Sequence, residues 1–114
     1  MTHILIPIIY IRKLNTFEQI KNGKKTIEIR KMTKLTSNLI TNQIIKLKNN
    51  NEHIICVIKK IIKNKSFDEI INSVSLNEVN TNITNISNAI IYYSSYYPNI
   101  KNEKFCAIFL QLIN

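Results

Sequence analysis

The sequence contains no tryptophan, one glycine (Gly23), two prolines and two cysteines in 114 residues. So little Gly and Pro excludes collagen-like and low-complexity chains. Two cysteines are too few for a disulfide-stapled scaffold. Cys56 and Cys106 lie inside apolar runs, the setting of reduced core residues. With His3 and His53 they form no pair at zinc-ligand spacing, so neither a metal nor another cofactor is expected. Long apolar runs are also missing. The longest, Ile4–Ile11 and Cys106–Leu110, fall well short of the ~20 residues of a membrane span. The first has no basic leader and no small-residue cleavage site, so it reads as a buried strand and not as a signal peptide. No membrane association is expected. The expected location is cytoplasmic, or host cytoplasm or nucleus if the source is viral.

Acidic residues are the other scarcity: 7 Asp and Glu stand against 16 Lys and Arg, a net charge of +9. The placement says more than the total. Residues 1–65 hold 14 basic and 3 acidic residues, a net of +11, whereas residues 66–114 hold 2 and 4, a net of −2. Such an excess on one half points to a polyanionic partner, nucleic acid ahead of a membrane surface. What the chain has in abundance is isoleucine, asparagine and lysine, with 25, 17 and 14 copies. These are the amino acids of AT-rich codons, as in a large DNA virus or an AT-rich parasite. Codon drift spreads lysine evenly, so it does not explain the asymmetry. A length of 114 residues, 45% apolar and 20% charged, fits one globular domain over residues 1–114.

The order of elements follows from periodicity. Residues 3–11 read as a first strand, with Pro7 holding part of it to an edge or bulge. Asn15 with Glu18 is a capping-box pattern, and Gly23 supplies the left-handed residue that closes the helix behind it. Residues 26–31 alternate as a half-buried strand, with Thr26, Glu28 and Arg30 on one side and Ile27 and Ile29 on the other. Residues 32–42 read as loop. Strands over 43–48 and 53–63 flank an asparagine turn at 49–51. Ser66 with Glu69 opens a second helix to about residue 72, and 73–84 read as irregular, anchored by Leu76, Val79 and Ile83. Ile86, Ala89, Ile90, Tyr93 and Tyr97 mark a third helix that stops at Pro98. Residues 104–113 are apolar on both faces, as in a central strand. Three strands in direct succession leave no room for crossover helices, which favours a small, mainly antiparallel α+β barrel of about five strands with three short helices.

The chemistry concentrates in Asn22-Gly23-Lys24-Lys25-Thr26-Ile27-Glu28-Ile29-Arg30-Lys31. The end of a helix places Lys24 and Lys25 at a surface corner. Thr26, Glu28 and Arg30 form a ladder with about 7 Å between successive side chains. Arg and Glu offer hydrogen-bond arrays of opposite sense, which suits the edge of a base. A desolvated Lys25 would instead suit acid–base chemistry. A solvated Glu28–Arg30 pair with no further role reads equally well. With Glu28 in the site, Glu28→Gln is expected to spare stability while changing ligand preference or turnover.

The pattern Phe17-x-x-Ile20-x-x-Gly23-x-Lys25-Thr26-x-Glu28-x-Arg30 resembles the opening of the ASCH (activating-signal-cointegrator homology) domain, a PUA-like β-barrel. Ser66-Phe67-Asp68-Glu69-Ile70-Ile71 resembles the family's helix after the fourth strand. Ala89-Ile90-x-Tyr92-x-x-Tyr96-Tyr97 resembles its aromatic helix, and Phe105–Leu112 its closing strand. The likeness spans residues 14–113. It departs where the family has Gly-Asp before the second hairpin strand and this chain has Asn42-Gln43.

The resemblance implies RNA or nucleotide binding, single-stranded RNA above all, in a basic cleft between barrel and helices. Lys24, Lys25, Thr26, Glu28 and Arg30 would line it. Lys46, Lys48, Lys59, Lys60 and Lys63 would extend the positive surface. Tyr92 and Tyr96 would stack on a base, with Tyr93 and Tyr97 in the core. An enzymatic alternative comes with the family: some small members deacetylate N4-acetylcytidine, and one branch is associated with ribonuclease activity. For an amidohydrolase, Lys25, Thr26 and Glu28 would be the catalytic groups, with Glu28 where those enzymes carry a threonine and Glu78 near their distal glutamate. His3 and His53 are the chain's histidines, and neither falls in the motif.

Overall fold

A computed structural model describes residues 5–113. It has five strands and five helices among those residues. They are β1 (Ile8–Tyr10), α1 (Leu14–Lys21), β2 (Ile27–Lys31), α2 (Lys34–Ser37), β3 (Ile44–Asn49), β4 (Glu52–Lys65), α3 (Phe67–Asn72), α4 (Leu76–Val79), α5 (Ile86–Ser94) and β5 (Phe105–Ile113). The strands form one sheet in the order β1-β3-β4-β5-β2. The pair β1–β3 is parallel and the other three are antiparallel. The sheet curls into an α+β half-barrel whose two edges, β1 and β2, do not pair with each other.

The sheet separates two cores. On the inner face, Ile9, Ile45, Leu47, Cys56, Ile58, Cys106 and Ile108 pack with Phe17 and Ile20 of α1. On the outer face, Ile27, Ile29, Phe105 and Ala107 pack under α3, α4 and α5 through Phe67, Ile70, Val79, Ala89 and Tyr93. Strand β5 supplies Cys106 and Ile108 to one core and Phe105 and Ala107 to the other. It lies between β4 and β2, the central position its two-faced apolar pattern demands.

Glycine is so scarce that asparagine takes left-handed positions. Gly23 has φ of 77°. The Lys24 N–H donates to the Gln19 carbonyl (2.9 Å) and the Gly23 N–H to that of Ile20 (3.0 Å), a Schellman closure of α1. Asn42, at the departure from the Gly-Asp pattern, has φ of 71°. Asn50 at the β3–β4 turn has 52°, and Asn64 at the second register shift of β4 has 59°. Asn is the non-glycine residue that best tolerates this conformation.

Several expectations are corrected. The strand expected from residue 3 is three residues long, with His3 and Ile4 outside the described residues. Leu5 is 88% exposed, so this run is an edge and not a buried strand. Helix α1 starts at Leu14 with Lys13 as an uncapped N-cap, and the Asn15 side chain accepts from Gln19 instead of capping. The loop at 32–42 contains α2, closed by a Thr33–Thr36 capping box. The irregular stretch contains α4. Helix α5 ends at Ser94, so Tyr96 and Tyr97 sit in the turn beyond it, both N–H groups donating to the Tyr93 carbonyl. The expected small, mainly antiparallel α+β barrel is borne out, open between β1 and β2 and with β1 parallel to β3.

Candidate functional site

The Schellman turn at Gly23 redirects the chain so that successive lysines part. Lys24 is exposed, whereas Lys25 turns inward and keeps 2% of its surface. Lys25 is therefore not at a surface corner, as its position after a helix implies. Its ammonium donates to the carbonyls of Ile27 (2.6 Å) and Val79 (2.7 Å) and pairs with Glu28 Oε1 at 3.1 Å. Three donors meet three acceptors.

Strand β2 sets the next two groups. Ile27 and Ile29 face the helices, so Glu28 and Arg30 face the inner side of the sheet, opposite Ile108 and Cys106 of β5. Glu28 Oε2 accepts from Arg30 Nε at 2.6 Å. Arg30 Nη2 then donates to the Tyr10 carbonyl at 2.7 Å, bridging the two unpaired edges of the sheet. Burial raises the Glu28 carboxyl, but Lys25 and Arg30 outweigh it and hold the group below its ordinary range. Burial pulls Lys25 down from the ordinary lysine value, with Glu28 opposing. This is a buried three-charge network and not a solvated pair. It overturns the expectation that Glu28→Gln is harmless, because losing the carboxylate strands Lys25.

At this open seam lies a cleft of about 320 Å³. One wall is the end of β1 and the start of α1, with Tyr10, Arg12, Lys13 and Thr16; the floor holds Lys25, Glu28 and Arg30. Asn80 and the tyrosines 92, 93, 96 and 97 complete it. All five tyrosines of the chain therefore border one cleft. It carries four cations and one carboxylate, and that carboxylate is already paired. Lys13 Nζ stands 5.3 Å from the Tyr92 ring centroid and 5.1 Å from that of Tyr96. Contact with this ammonium lowers the Tyr96 phenol and raises Lys13 in turn. Tyr93 is 7% exposed, and burial raises its phenol well above the ordinary value.

Of the residues singled out in the sequence, the cleft brings together Lys25, Glu28, Arg30, Tyr92 and Tyr96. Tyr93 and Tyr97 serve both core and cleft. Thr26 lies apart: its hydroxyl faces Glu78 Oε1 at 3.4 Å, and it borders a second, apolar depression beside Gly23 and Leu112. Lys46 and Lys48 pair in register with Ile8 and Tyr10 and do not line the cleft. Lys59 and Lys60 are exposed on β4, two strands from β1, with Lys60 over the Phe109 ring. Lys63 donates to the Ser37 carbonyl. Sequence reasoning missed Arg12, Lys13, Tyr10 and Asn80. The first three sit next to one another at the end of β1, and no periodicity marks that position as the mouth of a cleft. Asn80 is one of 17 asparagines.

The two cysteines are free and buried. Cys56 stands opposite Leu112 and Cys106 opposite Arg30, so they do not adjoin. Burial lifts both thiols to about 11, which keeps them protonated and unreactive.

The family model for the ASCH domain matches residues 13–113. The chain belongs to the ASCH domain family. Among solved structures, the hypothetical protein PH0355 superposes with a TM-score of 0.80 at 22% identity, over 96% of this chain and 100% of its own. Protein PF0455 from Pyrococcus furiosus gives 0.73 at 20% identity, over 96% and 99%. A serine-to-alanine mutant of ZmASCH from Zymomonas mobilis gives 0.63 at 19% identity, over 94% of this chain and 72% of its own. These likenesses establish the fold. No curated protein matches the chain. Among the described residues no helix is long and apolar enough to cross a membrane.

Proposed function

We propose that this ASCH domain binds single-stranded RNA and holds one of its nucleotides in the cleft at the open seam. The observation that carries the reading is the cleft's make-up: four cations against one already paired carboxylate, with all five tyrosines of the chain. Cations without free counter-charges attract phosphate, and aromatic faces stack on unpaired bases. A volume of about 320 Å³ suits a single nucleotide and is at the small end of ligand sites. Arg12 and Lys13 at the mouth would take phosphates, Tyr92 and Tyr96 the base. Lys46 and Lys48, beside Tyr10, would guide the strand onward.

The same geometry gives less support to hydrolysis. All three donors of Lys25 are committed, and the Thr26 hydroxyl faces Glu78 outside the cleft. The test is anisotropy of a short labelled single-stranded RNA across salt. With three phosphate contacts, log Kd against log salt has a slope of about 2, from roughly 0.7 per contact, and Arg12→Ala or Lys13→Ala each removes about 0.7. Affinity that does not change with salt would contradict the reading.

A further inference from the structure

Asn80 lines the cleft, is buried, and keeps a side-chain donor without a partner among the described residues. It is 6% exposed. Its Oδ1 accepts from the Asn82 N–H at 2.8 Å, which fixes the plane of the amide. Among the described residues its Nδ2 has no hydrogen-bond partner. Every buried side-chain polar atom sealed from solvent does have one. The Nδ2 group must therefore touch open space, and the space that Asn80 borders is the cleft.

This donor is held in place from both sides. The carbonyl of Val79 accepts from Lys25 Nζ at 2.7 Å. The N–H of Thr81 donates to Gln19 Oε1 at 3.1 Å, and Gln19 itself is 7% exposed. The carbonyl of Asn80 accepts from the Ile83 N–H at 3.1 Å. A buried amide with its oxygen committed and its nitrogen free is a preorganised donor. Among the charged side chains around it, the free hydrogen-bonding capacity is donor. Arg30 has five N–H groups and uses two, on Glu28 and the Tyr10 carbonyl. Both oxygens of Glu28 already accept, from Lys25 and from Arg30.

We infer that Asn80 is a specificity-determining residue: its Nδ2 donates to a carbonyl oxygen of the bound base, so the cleft prefers carbonyl-bearing bases to adenine. Guanine, cytosine and uracil each carry a carbonyl oxygen with two lone pairs, whereas adenine accepts only at ring nitrogens, of which N1 and N7 stand beside its exocyclic amine. An amine set against the Asn80 amine or Arg30 would leave buried donors facing each other, and an unmet buried donor is costly. The inference rests on the reading of the cleft as a nucleotide site.

The experiment compares the full chain's affinity for short oligo-A, oligo-U and oligo-C RNAs, for wild type, Asn80→Asp and Asn80→Ala. Wild type is expected to bind oligo-U and oligo-C about tenfold more tightly than oligo-A. Asn80→Asp keeps an oxygen for the Asn82 N–H and turns the free donor into an acceptor, so the preference falls to none or reverses toward oligo-A. Asn80→Ala removes the preference without reversing it. Circular dichroism melts confirm that each variant is folded, and if Asn80→Asp unfolds, Asn80→Ala alone decides. Equal wild-type affinity for all three RNAs, or a preference unchanged in the folded variants, overturns the inference and leaves RNA binding standing. Absence of salt-dependent binding to every RNA overturns the underlying reading as well.

Discussion

The Glu28 carboxylate is 9% exposed and holds Lys25 and Arg30 at once. Removing one partner of such a pair costs about 3 kcal/mol, so Glu28→Gln is expected to lower unfolding free energy at pH 7 by that order, measured by urea denaturation. The pH dependence has a definite sign. The folded pKa of Glu28 lies below its ordinary 4.5, so between the two values the unfolded chain binds more protons. The stabilisation is complete above about pH 4.5 and is lost as pH falls through the folded value. Glu28→Gln should therefore flatten stability against pH in the acid range. An unchanged acid profile would mean that the carboxylate is not paired. Gly23 is a simpler case. A β-carbon there meets nothing within 4 Å, so only the φ of 77° resists it. Gly23→Ala is expected to lower stability by ~1 kcal/mol in the same assay.

At the scale of elements, Gln19 ties α1 to the segment after α4. Its side chain accepts from the Thr81 N–H and donates to Asn15, while its carbonyl accepts from Lys24 and Lys25. Gln19→Leu leaves the Thr81 N–H without a partner, at about 1–3 kcal/mol, and frees residues 80–83. Amide exchange at Thr81 should quicken and RNA affinity fall, with α1 itself intact. Exchange unchanged from wild type would show that the segment is held elsewhere. The elements legible in the sequence were those with a strong local signal. Period-two alternation marked β2, the Ser66–Glu69 capping box marked α3, and a run apolar on both faces marked β5. Helices α2 and α4 span four residues each and are too short for periodicity to register. The motif from Lys25 to Arg30 was legible as a ladder because side chains alternate on a strand. Its burial was not, since that depends on where the loop before α5 folds back over it.

At the scale of the whole molecule, the charge asymmetry and the aromatic cluster meet at the seam. Every cation of the cleft comes from residues 1–65, and four of its five tyrosines come from 66–114. The sheet leaves β1 and β2 unpaired, and the gap is bridged by one arginine side chain with donors to spare. A closed barrel would have no such opening. The lysines of β4 stand on a different part of the sheet and offer a second positive surface. The direct test of where RNA binds is an NMR titration of the isotope-labelled chain with a short single-stranded oligo-U. Shift changes are expected at Tyr10–Lys13, Lys25–Arg30, Asn80 and Tyr92–Tyr97. Changes confined to Lys59, Lys60 and their neighbours on β4, or none at all, would contradict the assignment of the cleft as the RNA site.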